Sequence, residues 1–319
     1  MISLQILRTL LADKLGGNSP STILSADQTT GQQPMTLGDI EEHTENYLAL
    51  ENGEGKYRGM LTGILGYLGL FFASFAIAFW FDGRHQSAID TFLVAMACLL
   101  SPFLWEVLRP LPLPILFNRR TRELYFEQDG ELYHSPWDGI AAAAYEFHMV
   151  GPYTGGMRNA ALEVLVHRFN HPEEQMLLSL GLPIGKSLDL QESFWEYLRA
   201  YMNNGPWFDE QGNNSASDAF AKSQLEVRYR AGQVLPFTWQ QLQEKRRAAG
   251  GKNYLDYSSA VMLVCATLLY PMGAIQEFTY NIAKRRARSR WHQIVSERLQ
   301  SDGPTTRLID LERERGLDV

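Results

Sequence analysis

Cysteine is scarce: the 319-residue chain has two, Cys98 and Cys265, both inside apolar runs. That excludes a disulfide-stapled secreted scaffold and a cysteine-built zinc cluster. A surplus of positive charge is missing too, because 29 Lys and Arg stand against 36 Asp and Glu, for a net charge of −7. A chain of this balance lacks the electrostatic footprint of a nucleic-acid binder. The opening MISLQILRTLLADKLGG has Arg8 in the middle of its short apolar stretch, so it does not read as a cleavable leader. Apolar content is ample at 45%, which excludes general disorder.

A mean hydropathy of −0.22 looks like a water-soluble protein, but it averages over extreme segments. Gly59 to Phe81 reads GMLTGILGYLGLFFASFAIAFWF, 23 residues without a charge. As a helix it reaches about 34 Å, against about 30 Å of bilayer hydrocarbon. Gly63, Gly66 and Gly69 lie along it as a small-residue face for close helix packing, and Trp80 sits where an indole meets headgroups. After the polar link Asp82–Asp90, a second run extends from Thr91 to Leu108 if Glu106 lies at the interface. The two predict a transmembrane hairpin over residues 59–108. A third run, Ser258 to Ile275, is flanked by Lys245, Arg246, Arg247 and Lys252 before it and by Lys284, Arg285, Arg286, Arg288 and Arg290 after it. Both flanks favour the cytoplasmic face, so the run is either re-entrant, or laid against the bundle, or a crossing that breaks the charge rule. A third membrane-associated helix is expected over residues 258–283, with a basic and then polar helical tail over 284–319. Residues 1–58, with eight acidic and four basic side chains, read as a partly disordered cytosolic arm. It holds an amphipathic helix at its start and a Ser/Thr/Gln/Pro-rich linker from 18 to 37.

Pro110, Pro112 and Pro114 end the second span in an extended path. Alternating segments follow: 115–117, 123–126, 131–137, 141–149, 161–169 and 175–180, with Gln128-Asp129-Gly130 as a hairpin turn. A helix with Asp189 and Glu192 as its capping box presents Phe194, Trp195, Leu198, Tyr201 and Met202 on one face, and Asn203 to Pro206 stop it. Residues 109–206 thus read as a small antiparallel β domain closed by one helix, in the element order of a pleckstrin-homology-like barrel. Residues 207–257 read as a linker with an amphipathic part. The fold class expected is an α+β membrane protein.

The succession FNRRTRELYF, SPWDGI and FWEYLRAYMNNGP after a hairpin resembles an uncharacterised family of proteobacterial inner-membrane proteins. The likeness covers roughly residues 59–206 and, less securely, the tail through Trp291. It implies a membrane-anchored accessory protein, an immunity protein or a secretion-associated factor, encoded near type VI secretion genes. It brings no catalytic residues with it.

Candidate chemistry is thin. Gly181-Leu-Pro-Ile-Gly-Lys-Ser187 misses the phosphate-loop spacing by one residue, and Pro183 removes an N–H that phosphates would use. It reads as a connector. His167 and His171 are four apart but on a strand end and turn, with Glu173 and Glu174 close by. They read as surface histidines, and His134 and His148 as isolated ones. Trp137 is expected in the core, and Arg199 as an ion partner of Glu196. Arg119, Arg120 and Arg122, with Lys284, Arg285 and Arg286, are the candidate lipid-headgroup contacts. No catalytic set, cofactor site or metal site is legible. The expected activity is non-enzymatic binding of membrane lipids and of a protein partner or second copy, at a bacterial inner membrane with the soluble domain cytoplasmic. A regulatory scaffold recruiting soluble proteins is the alternative, with a membrane-bound enzyme behind it.

Overall fold

The computed structural model describes residues 2–15, 21–53, 55–151, 155–226, 231–251, 255–288 and 291–319. The chain divides into two compact units, one of Met1–Gly53, Pro112–Arg228 and Trp291–Val319, the other of Glu54–Leu111 and Tyr229–Arg290.

The first unit is an α+β domain around an antiparallel half-barrel sheet. Its strands are β1 (Ser21–Ser25), β2 (Ile40–His43), β3 (Tyr47–Leu50), β4 (Ile115–Asn118), β5 (Glu123–Gln128), β6 (Glu131–Pro136), β7 (Ala141–Gly151), β8 (Gly155–Arg168) and β9 (His171–Ser179). They run in the order β1-β7-β8-β6-β5-β4-β3-β2, with β9 also on β8. The β5–β6 turn places Asp129 at φ 55° and Gly130 at φ 86°, the left-handed pair that a two-residue hairpin requires. Strand residues alternate between two buried faces. Ile115, Phe117, Leu124 and Phe126 point to the inner core with Trp137, while Leu116, Tyr125 and Leu132 point to the outer face. Covering on both sides explains why β4 and the start of β5 are buried at every position.

Helix α4 (Leu188–Arg199) fills the inner face. Phe194, Trp195, Tyr197 and Leu198 are buried in it, and Ala200, Tyr201 and Met202 extend the same surface through a π-turn over Ala200–Asn204. Its cap is Ser187, whose hydroxyl accepts from the Leu190 N–H at 3.4 Å, two residues before the expected Asp189. Gly205, at φ 131°, stops the helical path.

Two expectations are corrected in this unit. Residues 21–50, read as part of a partly disordered arm with a linker over 18–37, supply β1, β2 and β3. β1 pairs with β7 and β3 with β4, so the arm completes both ends of the sheet. The acidic excess hid this, because Leu24, Ile40, Leu48 and Leu50 bury into the core from strands of only four or five residues. The tail is likewise part of the domain. Helices α8 (Gln293–Leu299) and α9 (Leu308–Glu314) cover the outer face through Val295, Leu308 and Leu311 against Leu116, Tyr125 and Leu132. Helix α1 (Ile2–Leu15) covers the rest of that face, with Leu7 and Leu11 on Ala143, Tyr145 and Ala161. A short helix α5 (Ala219–Glu226) adds Phe220 and Leu225 to the inner core.

The second unit is helical. α2 (Met60–Phe81), α3 (His85–Leu108) and α7 (Tyr257–Arg288) are each long and apolar enough to cross a membrane, and α6 (Val234–Ala248) packs beside α7. Phe71, Phe75, Ile77, Leu93, Leu104, Val264 and Leu268 are among the large side chains left exposed on α2, α3 and α7. α7 runs through Pro271 and well beyond the expected end of its apolar run, for 32 residues. The three glycines sit at helix crossings. A Cβ on Gly63 would stand 2.8 Å from the Met272 carbonyl oxygen, one on Gly66 2.9 Å from Leu99, and one on Gly69 2.8 Å from the Ala95 carbonyl oxygen. Their close approach is to α3 and α7 of the same chain, which is therefore where the small-residue face is used. Glu106 is buried within the protein: its carboxylate accepts from the Gly59 N–H at 3.0 Å and the Thr62 N–H at 2.8 Å, and from the Thr62 hydroxyl. It closes the start of α2 from the end of α3, supplying acceptors that lipid cannot. Gly69→Leu is expected to destabilise this bundle by about 1–3 kcal/mol, since the neighbour is backbone and cannot turn aside. Retention of the wild-type melting temperature in detergent would contradict the packing.

Candidate functional site

The outer face of the sheet carries a buried polar cluster. Register places His134 of β6 directly opposite His167 of β8, and their rings approach to 4.3 Å between centroids. Glu312 reaches them from α9. Its Oε2 lies 3.1 Å from Nε2 of His134 and 2.9 Å from Nε2 of His167, and its Oε1 accepts the Asn170 N–H at 2.7 Å. His134 and Glu312 have fully buried side chains, whereas that of His167 is 13% exposed. A second carboxylate stands behind. Oε1 of Glu123 is 3.6 Å from Nδ1 of His134, beyond hydrogen-bond range. Glu123 is itself fixed by the N–H groups of Leu308 and Ile309 at 2.9 and 3.1 Å and by the Tyr125 hydroxyl at 2.9 Å.

The electrostatics follow from burial and pairing. Burial alone would lower the His134 pKa, but the hydrogen bond to Glu312 and the nearby charges of Glu123 and Glu312 outweigh it and raise the pKa. Burial alone would raise Glu312, yet its hydrogen bonds from His134 and His167 hold it well below the usual carboxylate range. Burial, with the Glu123 charge alongside, pushes the Tyr125 hydroxyl well above its ordinary value. A cavity of about 340 Å³ adjoins the cluster and is lined by His167 together with Leu7, Ser135, Asp138 and Leu165.

Of the two histidines in HRFNH, His167 faces inward to Glu312, while His171 lies past the turn with Glu173 and Glu174 in a separate exposed group. They are not one ligand pair. His134, read as isolated, is the most enclosed member of the cluster; the His148 side chain lies outside the described residues. Alternation could have placed His134 and Leu132 on one face, but no sequence signal fixes the β6–β8 register or brings residue 312 to it.

The arginines expected at lipid headgroups are committed within the domain. Arg119 donates to the Glu45 carbonyl at 3.3 Å. Arg120 holds the carbonyls of Gln300 and Gly303, and so fastens the tail. Arg122 bonds Asp138 at 2.7 Å, the Met202 carbonyl at 3.0 Å and Asn203 at 3.1 Å. Adjacent guanidiniums at a β-turn find the free carbonyls of neighbouring segments, a use that composition alone cannot separate from lipid contact. Lys284, Arg285 and Arg286 fall on the last turns of α7; Arg286 donates to the Val107 carbonyl at 3.2 Å, the Lys284 ammonium lies 6.0 Å from the Tyr280 ring, and Arg285 is exposed. The Gly181–Ser187 loop is a connector whose Lys186 pairs with Asp39. Trp137 is fully buried, and Arg199 pairs with Glu196.

His43 is a second enclosed imidazole. It stacks on Trp207 with centroids 5.0 Å apart, sits 2.9 Å from the Tyr197 hydroxyl, and faces the Pro206 carbonyl at 2.6 Å. A carbonyl only accepts, so Nε2 carries the proton and Nδ1 accepts from Tyr197. Burial lowers its pKa to about 4, partly offset by the Pro206 carbonyl. The unfolded chain takes up this proton near pH 6.5, the native chain near 4, so acid favours unfolding. The associated stability is complete above pH 6.5 and is lost as pH falls to about 4, by about 3 kcal/mol in total. Urea titrations at pH 7 and pH 4 should show His43→Gln losing that much less than wild type; identical losses would refute the assignment.

Comparison of the chain with protein-family models, with curated proteins and with solved structures gives no match.

Proposed function

We propose that the chain is a bacterial inner-membrane protein that anchors a non-catalytic, pleckstrin-homology-like domain at the cytoplasmic surface, where it binds a protein partner or lipid headgroups. The observation that carries this reading is the exposure of large apolar side chains along α2, α3 and α7 in a chain whose other unit is a sheet domain with its own core. Such a surface is unstable in water and stable in lipid. The domain itself is an antiparallel half-barrel with the aromatic face of α4 packed on its inner side; the pleckstrin-homology-like reading of it rests on the sequence order of strands followed by one helix.

Membrane path follows from chain continuity. Residues 112–228 and 291–319 fold in one unit, so segment 229–290 leaves and rejoins one face of the bilayer. α6 runs antiparallel to α7, with Gly232 beside Glu277 and the Lys245 ammonium 2.9 Å from the Ser259 hydroxyl. Its Gln240, Gln241, Gln243, Glu244 and Lys245 make it too polar for a lipid-facing crossing. That supports reading the α6–α7 pair as re-entrant or interfacial, with the basic residues of both flanks at one surface. Lys284, Arg285 and Arg286 then lie at the anionic cytoplasmic surface.

The resemblance of FNRRTRELYF, SPWDGI and FWEYLRAYMNNGP to an uncharacterised inner-membrane family implies an immunity protein among its roles, so protection against a membrane-acting toxin is the specific role to test. Cells expressing the gene should outgrow cells lacking it when challenged by an effector encoded beside it. Equal survival would remove that role and favour the scaffold reading, in which the domain recruits soluble proteins.

A further inference from the structure

We infer that His134, His167 and Glu312 form a site for a divalent ion of the zinc class, which staples the C-terminal helix α9 to the sheet. Their donor atoms lie within 4.8 Å of one another, and Oε2 of Glu312 already stands 3.1 and 2.9 Å from the two Nε2 atoms. Tetrahedral bonds of about 2.0–2.1 Å require donors roughly 3.3 Å apart, so the two Glu312–histidine separations need to widen by only a few tenths of an ångström.

The surroundings suit a metal better than they suit the bare cluster. Both Nε2–H groups donate to one carboxylate oxygen, and the buried Nδ1 of His134 makes no hydrogen bond. Ligation through Nε2 puts the His134 proton on Nδ1, facing Glu123 Oε1 at 3.6 Å. A short approach completes the carboxylate–histidine–metal relay that orients and strengthens a histidine ligand. Glu123 is already held by Leu308, Ile309 and Tyr125. Two buried carboxylates favour a cation, and two imidazoles with one carboxylate select zinc-like ions over calcium or magnesium. Of the three ligands His167 lines the adjoining cavity, the side from which a water would come as fourth ligand. The three ligands come from β6, β8 and α9, so binding is coupled to docking of the tail.

The test uses the full chain in detergent, stripped with a chelator and titrated with Co²⁺ and then Zn²⁺. One equivalent of Co²⁺ is expected to produce the visible d–d bands of a tetrahedral nitrogen–oxygen site, displaced by Zn²⁺. Zn²⁺ should also raise the melting temperature and slow protease cleavage of the tail. His167→Ala should keep the wild-type circular dichroism and weaken binding at least tenfold, whereas His171→Ala in the exposed group should leave it unchanged. A folded wild-type protein with no stoichiometric binding, or binding lost in His171→Ala and kept in His167→Ala, would overturn the site.

Discussion

Cysteines placed at Ser301 and at Asp129 are expected to react from the same side of the membrane, and one placed at Gly83 from the opposite side. Ser301, Asp129 and Gly83 are all exposed, and Cys98→Ser with Cys265→Ser removes the native thiols. With an impermeant maleimide, spheroplasts should label Gly83→Cys within minutes and leave Ser301→Cys and Asp129→Cys unlabelled until lysis. The expectation is all-or-none because Arg120 in the β4–β5 turn holds Gln300 and Gly303, and Glu123 receives the first N–H groups of α9. A tail on the far side could make none of these bonds. Labelling of Ser301→Cys in intact spheroplasts would therefore refute both the one-faced domain and the re-entrant α6–α7 pair.

Trp195→Ala should cost about 3–5 kcal/mol of domain stability, a large part of the 5–15 kcal/mol typical of a folded domain. Trp195 is fully buried, its ring centroid lies 5.3 Å from that of Trp137, and its Nε1–H donates to the Ser25 carbonyl at 3.2 Å. Truncation opens a cavity between α4 and the sheet and leaves β1 without this anchor. Urea unfolding should show a lower midpoint with an unchanged slope, and proteolysis should begin in residues 21–39. A change under 1 kcal/mol would mean that α4 does not plug the half-barrel as described.

Much of this architecture was legible locally. The three apolar runs became α2, α3 and α7 because an uninterrupted apolar run has few other fates. The strands from 115 to 180 followed from alternation and from turn chemistry such as Gln128-Asp129-Gly130. The illegible parts depend on contacts distant in sequence. β1, β2 and β3 are short, sit in acidic surroundings, and are ordered by β7 and β4 rather than by their own propensity. The partners of Glu106 were equally hidden, because it serves backbone N–H groups 44 and 47 residues earlier. The candidate site was the least readable. His134 and His167 meet through strand register, and Glu312 lies 145 residues beyond His167. The arginines of FNRRTR were read from position alone, and position does not distinguish a headgroup from a carbonyl of the protein's own tail.

The membrane anchor requires that α2 and α3 be solvated by lipid. Extraction of bacterial membranes with alkaline carbonate tests this most directly. The full chain should stay in the membrane pellet, enter solution only with detergent, and float with vesicles after reconstitution. Release of the folded chain into carbonate, or a monodisperse form in detergent-free buffer that never floats with vesicles, would contradict the account.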